Sequence, residues 1–278
     1  MLPIDRYAVF GSPINHSKSP RIHRLFAEQT GQSLRYDAQE VSAESFEAAV
    51  NAFFASGGKG LNCTVPLKEL AYRLATGKTG RAERSKAVNT LALLADGSIL
   101  GDNTDGFGLV RDLLNNHQLT LTDKRILILG AGGASRGIVG PILEEAPSRL
   151  LIANRTAEKA VQLAEEFKFL GDISGCGFEE LEGLQFDLIL NATSASLSGQ
   201  MPPLPERLLA KQGSCYDLAY GNEPTAFVRW GIAQGAQHSL DGLGMLVEQA
   251  AEAFFIWRGV RPQTRPVIDL LDAERKGK

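Results

Sequence analysis

The chain has 278 residues, 44% hydrophobic and 22% charged, with a formal net charge of −3. This is ordinary globular usage with ample apolar material for a core, which argues against a disordered chain; the near-balanced charge offers no broad electrostatic footprint for nucleic acid or an anionic membrane. A single core stops growing at about 250–300 residues, so two domains are expected rather than one.

The three cysteines, Cys63, Cys176 and Cys215, are far apart and form no C-x-x-C pair, which points to free thiols in a reducing cytoplasm. His16, His23, His117 and His238 lack metal-site spacing, so no metal is expected. No basic N-terminal region leads into an apolar stretch, and no run of about 18 apolar residues occurs, so neither a signal peptide nor a membrane span is expected.

In chain order, residues 7–10 read as a strand. Ser19-Pro20 then reads as an N-cap followed by proline at the first helical position, and Gly31 closes that helix. Residues 34–41, 60–65 and 87–93 read as strands, with a hairpin at Asp96-Gly97. Further on, short apolar runs at 125–129, 149–154, 172–178, 186–191, 214–218 and 236–240 read as strands. Helical patterns fill 135–145 and 157–169, the second with Ala160, Leu163, Ala164 and Phe167 on one face. This alternation predicts a parallel sheet covered on both sides. Residues 244–258 form a strong helix with a stripe of Leu246, Ala250, Ala253, Phe254 and Trp257, stopped by Gly259 and Pro262. This helix lies beyond the six-strand unit, so the tail is expected to return to the first domain. The expected architecture is α/β in two domains: residues 1–104 plus 242–278, and a Rossmann-like doubly wound domain of 105–241, with a ligand cleft between them.

The sharpest local motif is an apolar strand running into Gly130-Ala131-Gly132-Gly133-Ala134-Ser135 and then a helix. That is the context a dinucleotide fingerprint requires. Gly130 allows a tight turn, Gly132 lets a pyrophosphate approach the backbone, and the helix N-terminus supplies free N–H groups. Serine stands where the third glycine is usual. The next strand ends Ala153-Asn154-Arg155-Thr156, without the carboxylate that would bond a ribose 2′-hydroxyl. Arg155 instead offers a planar cation to a 2′-phosphate, and Lys159 follows four residues later, so NADP is expected over NAD.

Three segments of the first domain carry unusual polar patterns. Ser17 and Ser19 are two apart and, if extended, share a side that suits a carboxylate; a turn with Ser19 as a helix cap is the alternative. Asn62 and Thr64 likewise share one side of a strand, and Lys68 follows its exit. Asn89-Thr90 precedes the hairpin, and Asp102-Asn103-Thr104-Asp105-Gly106 follows it, with Asp105 placed as a helix N-cap and glycines on both sides that let ligand and backbone come close.

These segments, in this order, resemble the shikimate dehydrogenase family across essentially the whole chain. The motifs are Ser-Lys-Ser-Pro, Asn-x-Thr-x-Pro-x-Lys, Asn-Thr, Asn-Thr-Asp-Gly, Gly-Ala-Gly-Gly-Ala, Asn-Arg-Thr, Asn191-Ala192-Thr193-Ser194, Tyr216-Asp217 and Asp241-Gly242-Leu243-Gly244-Met245 through Gln249-Ala250. The resemblance implies reversible, NADPH-dependent reduction of 3-dehydroshikimate to shikimate, a step of chorismate and aromatic amino acid biosynthesis. It implies Lys68 and Asp105 as the catalytic pair, and Ser17 and Ser19 on the ring carboxylate. Asn62, Thr64, Asn89, Asp105 and Gln249 are implied on ring hydroxyls, with Tyr220 also near the carboxylate. For the cofactor it implies the 130–134 turn, Asn154, Arg155, Thr156, Lys159 and Thr193, with Gly242 and Met245 near the nicotinamide. Met245 and Gln249, four apart, share a helix face. Ser196 stands where many relatives have glycine, which bears on the local loop shape. The implied partner is a small molecule rather than nucleic acid or membrane, acting on a monomer or homodimer. The competing readings are a quinate/shikimate dehydrogenase with broader substrate or NAD use, and a non-catalytic NADP-binding sensor.

Overall fold

The structure is a computed structural model that describes residues 4–193, 195 and 199–277. The chain divides into two units, Met1–Gly108 with Val247–Asp269 and Leu109–Leu246 with Leu270–Lys278. The elements are β1 (Asp5–Gly11), α1 (Ser19–Thr30), β2 (Leu34–Glu40), α2 (Phe46–Ala55), β3 (Gly58–Cys63), α3 (Lys68–Leu74), β4 (Gly77–Lys78), α4 (Gly80–Ser85), β5 (Thr90–Leu93), β6 (Ile99–Asp102), α5 (Asp105–Arg111), β7 (Arg125–Leu129), α6 (Gly133–Glu144), β8 (Arg149–Ala153), α7 (Ala157–Phe167), β9 (Ile173–Cys176), β10 (Phe186–Asn191), β11 (Leu209–Asp217), α8 (Ala226–Ala233), β12 (His238–Asp241), α9 (Leu243–Arg258) and α10 (Arg265–Arg275). The sequence boundaries, 1–104 plus 242–278 and 105–241, fall at or before the starts of helices, whereas the contact division runs inside α5, α9 and α10.

The first unit holds a sheet of order β2-β1-β3-β5-β6-β4. β1 runs parallel to β2 and β3, and β5 runs antiparallel to β3 and β6. β1 is apolar on both faces, as a parallel strand covered on both sides must be. Ala8 and Phe10 pack with Phe46, Val50, Phe53 and Phe54 of α2. Tyr7 and Val9 point the other way and cluster with Tyr36 and Trp257 of α9. Gly31, at φ 65°, closes α1 by donating its N–H to Ala27 O.

The second unit is an all-parallel sheet of order β12-β11-β10-β7-β8-β9. Strand order reverses between β10 and β7, the point where open α/β sheets bind ligands at the carboxyl ends of their strands. Ile126 and Ile128 pack with the apolar faces of α6 and α7, and Leu127 and Leu129 with Phe227 of α8 on the other side. The predicted α7 face is the one buried: Ala160, Leu163, Ala164 and Phe167. No helix among the described residues is long and apolar enough to cross a membrane.

Candidate active site

In the first unit, strand exits and helix starts bring the polar segments together. Lys68 opens α3 and Asp105 opens α5. Lys68 Nζ donates to Asp105 Oδ2 at 2.6 Å, with side chains 19% and 10% exposed, so the pair is shielded yet reachable. The other carboxylate oxygen, Asp105 Oδ1, accepts from Asn89 Nδ2 at 2.9 Å. Asn89 also reaches Thr104 Oγ1 at 2.9 Å and Gln249 Oε1 at 3.3 Å, and its own Oδ1 accepts Thr104 N–H at 2.9 Å. Asn62 Nδ2 donates to Asn89 O and Thr90 Oγ1, both at 3.0 Å. Lys68, Asp105, Asn89, Asn62 and Gln249 therefore form one hydrogen-bonded group. Thr64 continues the β3 ladder through its N–H to Phe10 O at 2.9 Å.

The loop carrying Asp105 is held from below. Asn103 Oδ1 accepts Asp105 N–H at 3.1 Å, and Asp102 Oδ1 accepts Asn103 N–H at 2.7 Å. Asp102 is buried and gripped by Thr79 Oγ1 at 2.5 Å and by Arg81, whose Nη2 lies 2.5 Å from Oδ2 and 3.1 Å from Glu252. An ionised carboxylate needs such partners when taken out of water.

Ser17 and Ser19 do not lie in an extended segment. Lys18, at φ −82° and ψ −7°, is the N-cap and makes no side-chain cap hydrogen bond, and Ser19 is the first residue of α1. Ser19 N–H donates to Ser17 Oγ at 3.3 Å. The capping role is thus overturned, and the turn still sets the two serines side by side. Beneath them Tyr36, which also touches the Ser19 hydroxyl, donates to Asn62 Oδ1 at 2.7 Å. His23 stacks on Tyr36 at 4.1 Å. Neither of its ring nitrogens makes a hydrogen bond, and the neighbouring Asn62 uses its amide hydrogens on Asn89 and Thr90. Burial pushes the His23 pKa down to about 3.

In the second unit the cofactor candidates sit at the carboxyl edge of the sheet. Gly130 follows β7 at φ 101°, and a Cβ there would meet Ala192 and Thr193 at 3.2 Å, so the turn lies tight against the β10 exit. Ser135, in place of the third glycine, is buried and donates to Gly130 O at 2.7 Å, bracing the turn. A Cβ on Gly132 or Gly133 would meet nothing within 4 Å, leaving open space before the start of α6. That bare backbone cradle fits a pyrophosphate. Arg155 and Lys159 are exposed beyond β8, where Thr156 is the N-cap of α7 and Asn154 Nδ2 donates to Thr156 O at 2.9 Å. Thr193 Oγ1 donates to Asn191 Oδ1 at 2.7 Å. Gly242 and Met245 follow β12. Ala131 and Ala134 lie in the turn and the first residues of α6. Tyr220, in the loop after β11, belongs to this unit and not to the one holding the other substrate candidates. Ser194 and Ser196 lie outside the described residues.

Sequence reasoning missed Tyr36, Arg81, Asp102 and Asn103 as supports of the cluster. Asp102 and Asn103 stand inside a motif already singled out, and their flanking position was the available signal; nothing local marks Tyr36 or Arg81.

The shikimate dehydrogenase substrate binding domain family matches residues 9–91, the shikimate / quinate 5-dehydrogenase family residues 112–199, and the shikimate 5′-dehydrogenase C-terminal domain family residues 242–271. A shikimate dehydrogenase (NADP(+)) of Methylococcus capsulatus is 65% identical over 98% of both chains. One from Alkalilimnicola ehrlichii is 58% identical over 97% of this chain and 99% of its own. The crystal structure of shikimate 5-dehydrogenase from Thermus thermophilus, in complex with NADP(H) and shikimate, superimposes with a TM-score of 0.85 at 33% identity, covering 98% of this chain and 99% of that one. The chain belongs to the shikimate dehydrogenase family.

Proposed function

We propose that this chain is an NADP-dependent shikimate dehydrogenase, reversibly reducing 3-dehydroshikimate to shikimate. The observation that carries the reading is the Lys68–Asp105 pair at 2.6 Å, with Asn89 on the second carboxylate oxygen. NADPH, when bound, supplies the hydride to the carbonyl carbon. As that bond forms, negative charge grows on the carbonyl oxygen. The Lys68 ammonium donates a hydrogen bond there and then its proton, leaving the hydroxyl of the product; solvent restores the proton to the amine. Asp105, fixed by Asn89 and by the Asn103–Asp102–Arg81 support, orients the ammonium. In the oxidation direction the neutral amine takes the hydroxyl proton. Ser17 and Ser19 donate to the ring carboxylate, Asn62, Thr64, Asn89 and Gln249 meet ring hydroxyls, and Tyr220 approaches the carboxylate.

The glycine turn, Asn154, Thr156 and Thr193 hold the cofactor backbone, with Arg155 and Lys159 on its 2′-phosphate. The absence of a carboxylate after β8 favours NADP over NAD. Free, buried cysteines suit a reducing cytoplasm. The test is nicotinamide absorbance with shikimate and quinate, each offered with NADP+ and NAD+. Rapid turnover of shikimate with NADP+ is expected; preference for quinate or NAD+ would give the broader-specificity reading, and no turnover in any combination would leave a binding protein.

A further inference from the structure

Between α5 and β7 the chain makes a π-helical turn, Asp112–Asn116. Such turns are rare and occur frequently at functional sites. Here the turn carries Asp112, a carboxylate with no exposure, outside the reaction described above. Tyr216, Asn116 and His117 face it. Tyr216 Oη donates to Oδ2 at 2.7 Å, Asn116 Nδ2 donates to Oδ1 at 2.9 Å, and His117 Nε2 lies 3.5 Å from Oδ2. Tyr216 is itself fully buried, and burial, with the Asp112 charge, pushes its pKa well above the usual value. Its proton is therefore kept and given to Asp112.

The Tyr216 oxygen then accepts the backbone N–H of Met245 at 3.3 Å. That N–H is among the first of α9, which have no acceptor within their own helix. The carboxylate stands close to the same turn: a Cβ on Gly244 would lie 2.0 Å from Asp112 Oδ1, so only glycine fits. A negative charge at a helix N-terminus has the favourable sign. A buried acid, a buried phenol and a glycine thus converge on the backbone of one turn, residues 242–245.

The sheet topology says what that turn faces. A dinucleotide straddles the reversal of strand order between β10 and β7. Arg155 follows β8 on one side of the reversal and Met245 follows β12 on the other. With Arg155 on the adenosine 2′-phosphate, the β10–β12 side receives the nicotinamide half.

We propose that Tyr216 and Asp112 are positioning residues for the nicotinamide: Asp112 fixes the Tyr216 hydroxyl, and the hydroxyl fixes the first turn of α9. This rests on the NADP reading given above.

The test compares Tyr216→Phe with the unaltered full chain. NADPH and adenosine 2′,5′-bisphosphate, which has the 2′-phosphate and no nicotinamide, are titrated calorimetrically, and amide exchange at Met245 is followed. Loss of one hydrogen bond of this kind weakens NADPH by about three- to tenfold. Affinity for the bisphosphate is expected to stay unchanged, exchange at Met245 to speed up, and kcat to fall with little change in the KM for shikimate. Asp112→Asn, which still accepts the phenol proton, is expected to keep most of the NADPH affinity. If Tyr216→Phe fails to fold, Tyr216→Phe with Asp112→Asn removes the charge left without its donor and carries the same comparison. Unchanged NADPH affinity, or equal losses for both ligands, overturns the positioning role alone. Binding of neither ligand by the unaltered chain overturns the NADP reading and the proposal with it.

Discussion

The two candidate sites are built by opposite means. In the first unit, the candidate site is made of side chains bonded to one another: Lys68 to Asp105, Asp105 to Asn89, Asn89 to Asn62 and Gln249. In the second, it rests on backbone left bare by Gly132 and Gly133, with exposed Arg155 and Lys159 beyond the next strand. Chemistry that must place a proton needs interlocked groups, because each fixes the direction of the next. Holding a phosphate needs only N–H groups and a cation nearby. Changes to the Lys68–Asp105 pair should therefore be large and coupled, and changes in the second unit smaller and local.

The largest expected effect is that of Lys68→Ala. Losing the proton donor and the electrostatic partner of the developing alkoxide lowers kcat by at least about 100-fold. NADPH affinity, measured by nicotinamide fluorescence, should change little. Near-normal kcat in a folded preparation would leave Lys68 as a surface lysine. On the cofactor side, Arg155→Ala should weaken NADPH by about ten- to a hundredfold, the loss of a charge-assisted hydrogen bond, and leave NADH nearly untouched. Equal losses for both cofactors would make Arg155 structural.

A smaller effect sharpens the contrast within the first unit. Changing Ser17 and Ser19 together to Ala should raise the KM for shikimate by about tenfold or more, with NADPH affinity unchanged. Because Ser19 is not the N-cap of α1 and Ser17 Oγ accepts a single N–H at its start, the melting temperature should fall only slightly. A fall in melting temperature without a change in KM would mean that the serines serve the fold.

The remaining effect is on stability, and only below pH 6.5. His23 takes up a proton at about pH 3 in the folded chain, against a usual value of 6.5. Below pH 6.5 the unfolded chain binds a proton that the folded chain refuses, so stability is full above that value and falls as the pH drops towards 3. One such group steepens the dependence by about 1.4 kcal/mol per pH unit within that window. Urea unfolding of His23→Leu at several pH values should show a slope shallower by about that amount; an unchanged slope would mean that His23 is protonated, or has a polar partner, in the folded chain.

What could be read from the sequence follows the same division. The strand, turn and helix around Gly130 were legible because their requirements are local, and Ser135, where the third glycine is usual, braces the turn. α7 and α9 were legible from their apolar stripes. α2 is unassigned above although Phe46, Val50, Phe53 and Phe54 have helical spacing, and α4, six residues long, is too short to show any period. The candidate catalytic group is different. Lys68 and Asp105 are 37 residues apart, and Arg81 and Glu252 are 171 apart. No local pattern announces such pairs; the resemblance of the segments that carry them pointed to Lys68 and Asp105. Tyr216 stands in one of the matching motifs, but its pairing with Asp112, 104 residues away, was beyond either route, because neither a spacing nor a motif says that a tyrosine will end a helix's open N–H.

The central claim, that the first-unit side chains act as one device, is tested most directly by a double-mutant cycle on kcat with Lys68→Ala, Asp105→Asn and both together. Residues acting as a unit are not additive. The pair change is predicted to lose clearly less than the product of the two single losses, since Asp105 has nothing to orient once the ammonium is gone. Single losses that multiply in the double variant would show that Lys68 and Asp105 contribute independently, and would contradict the account.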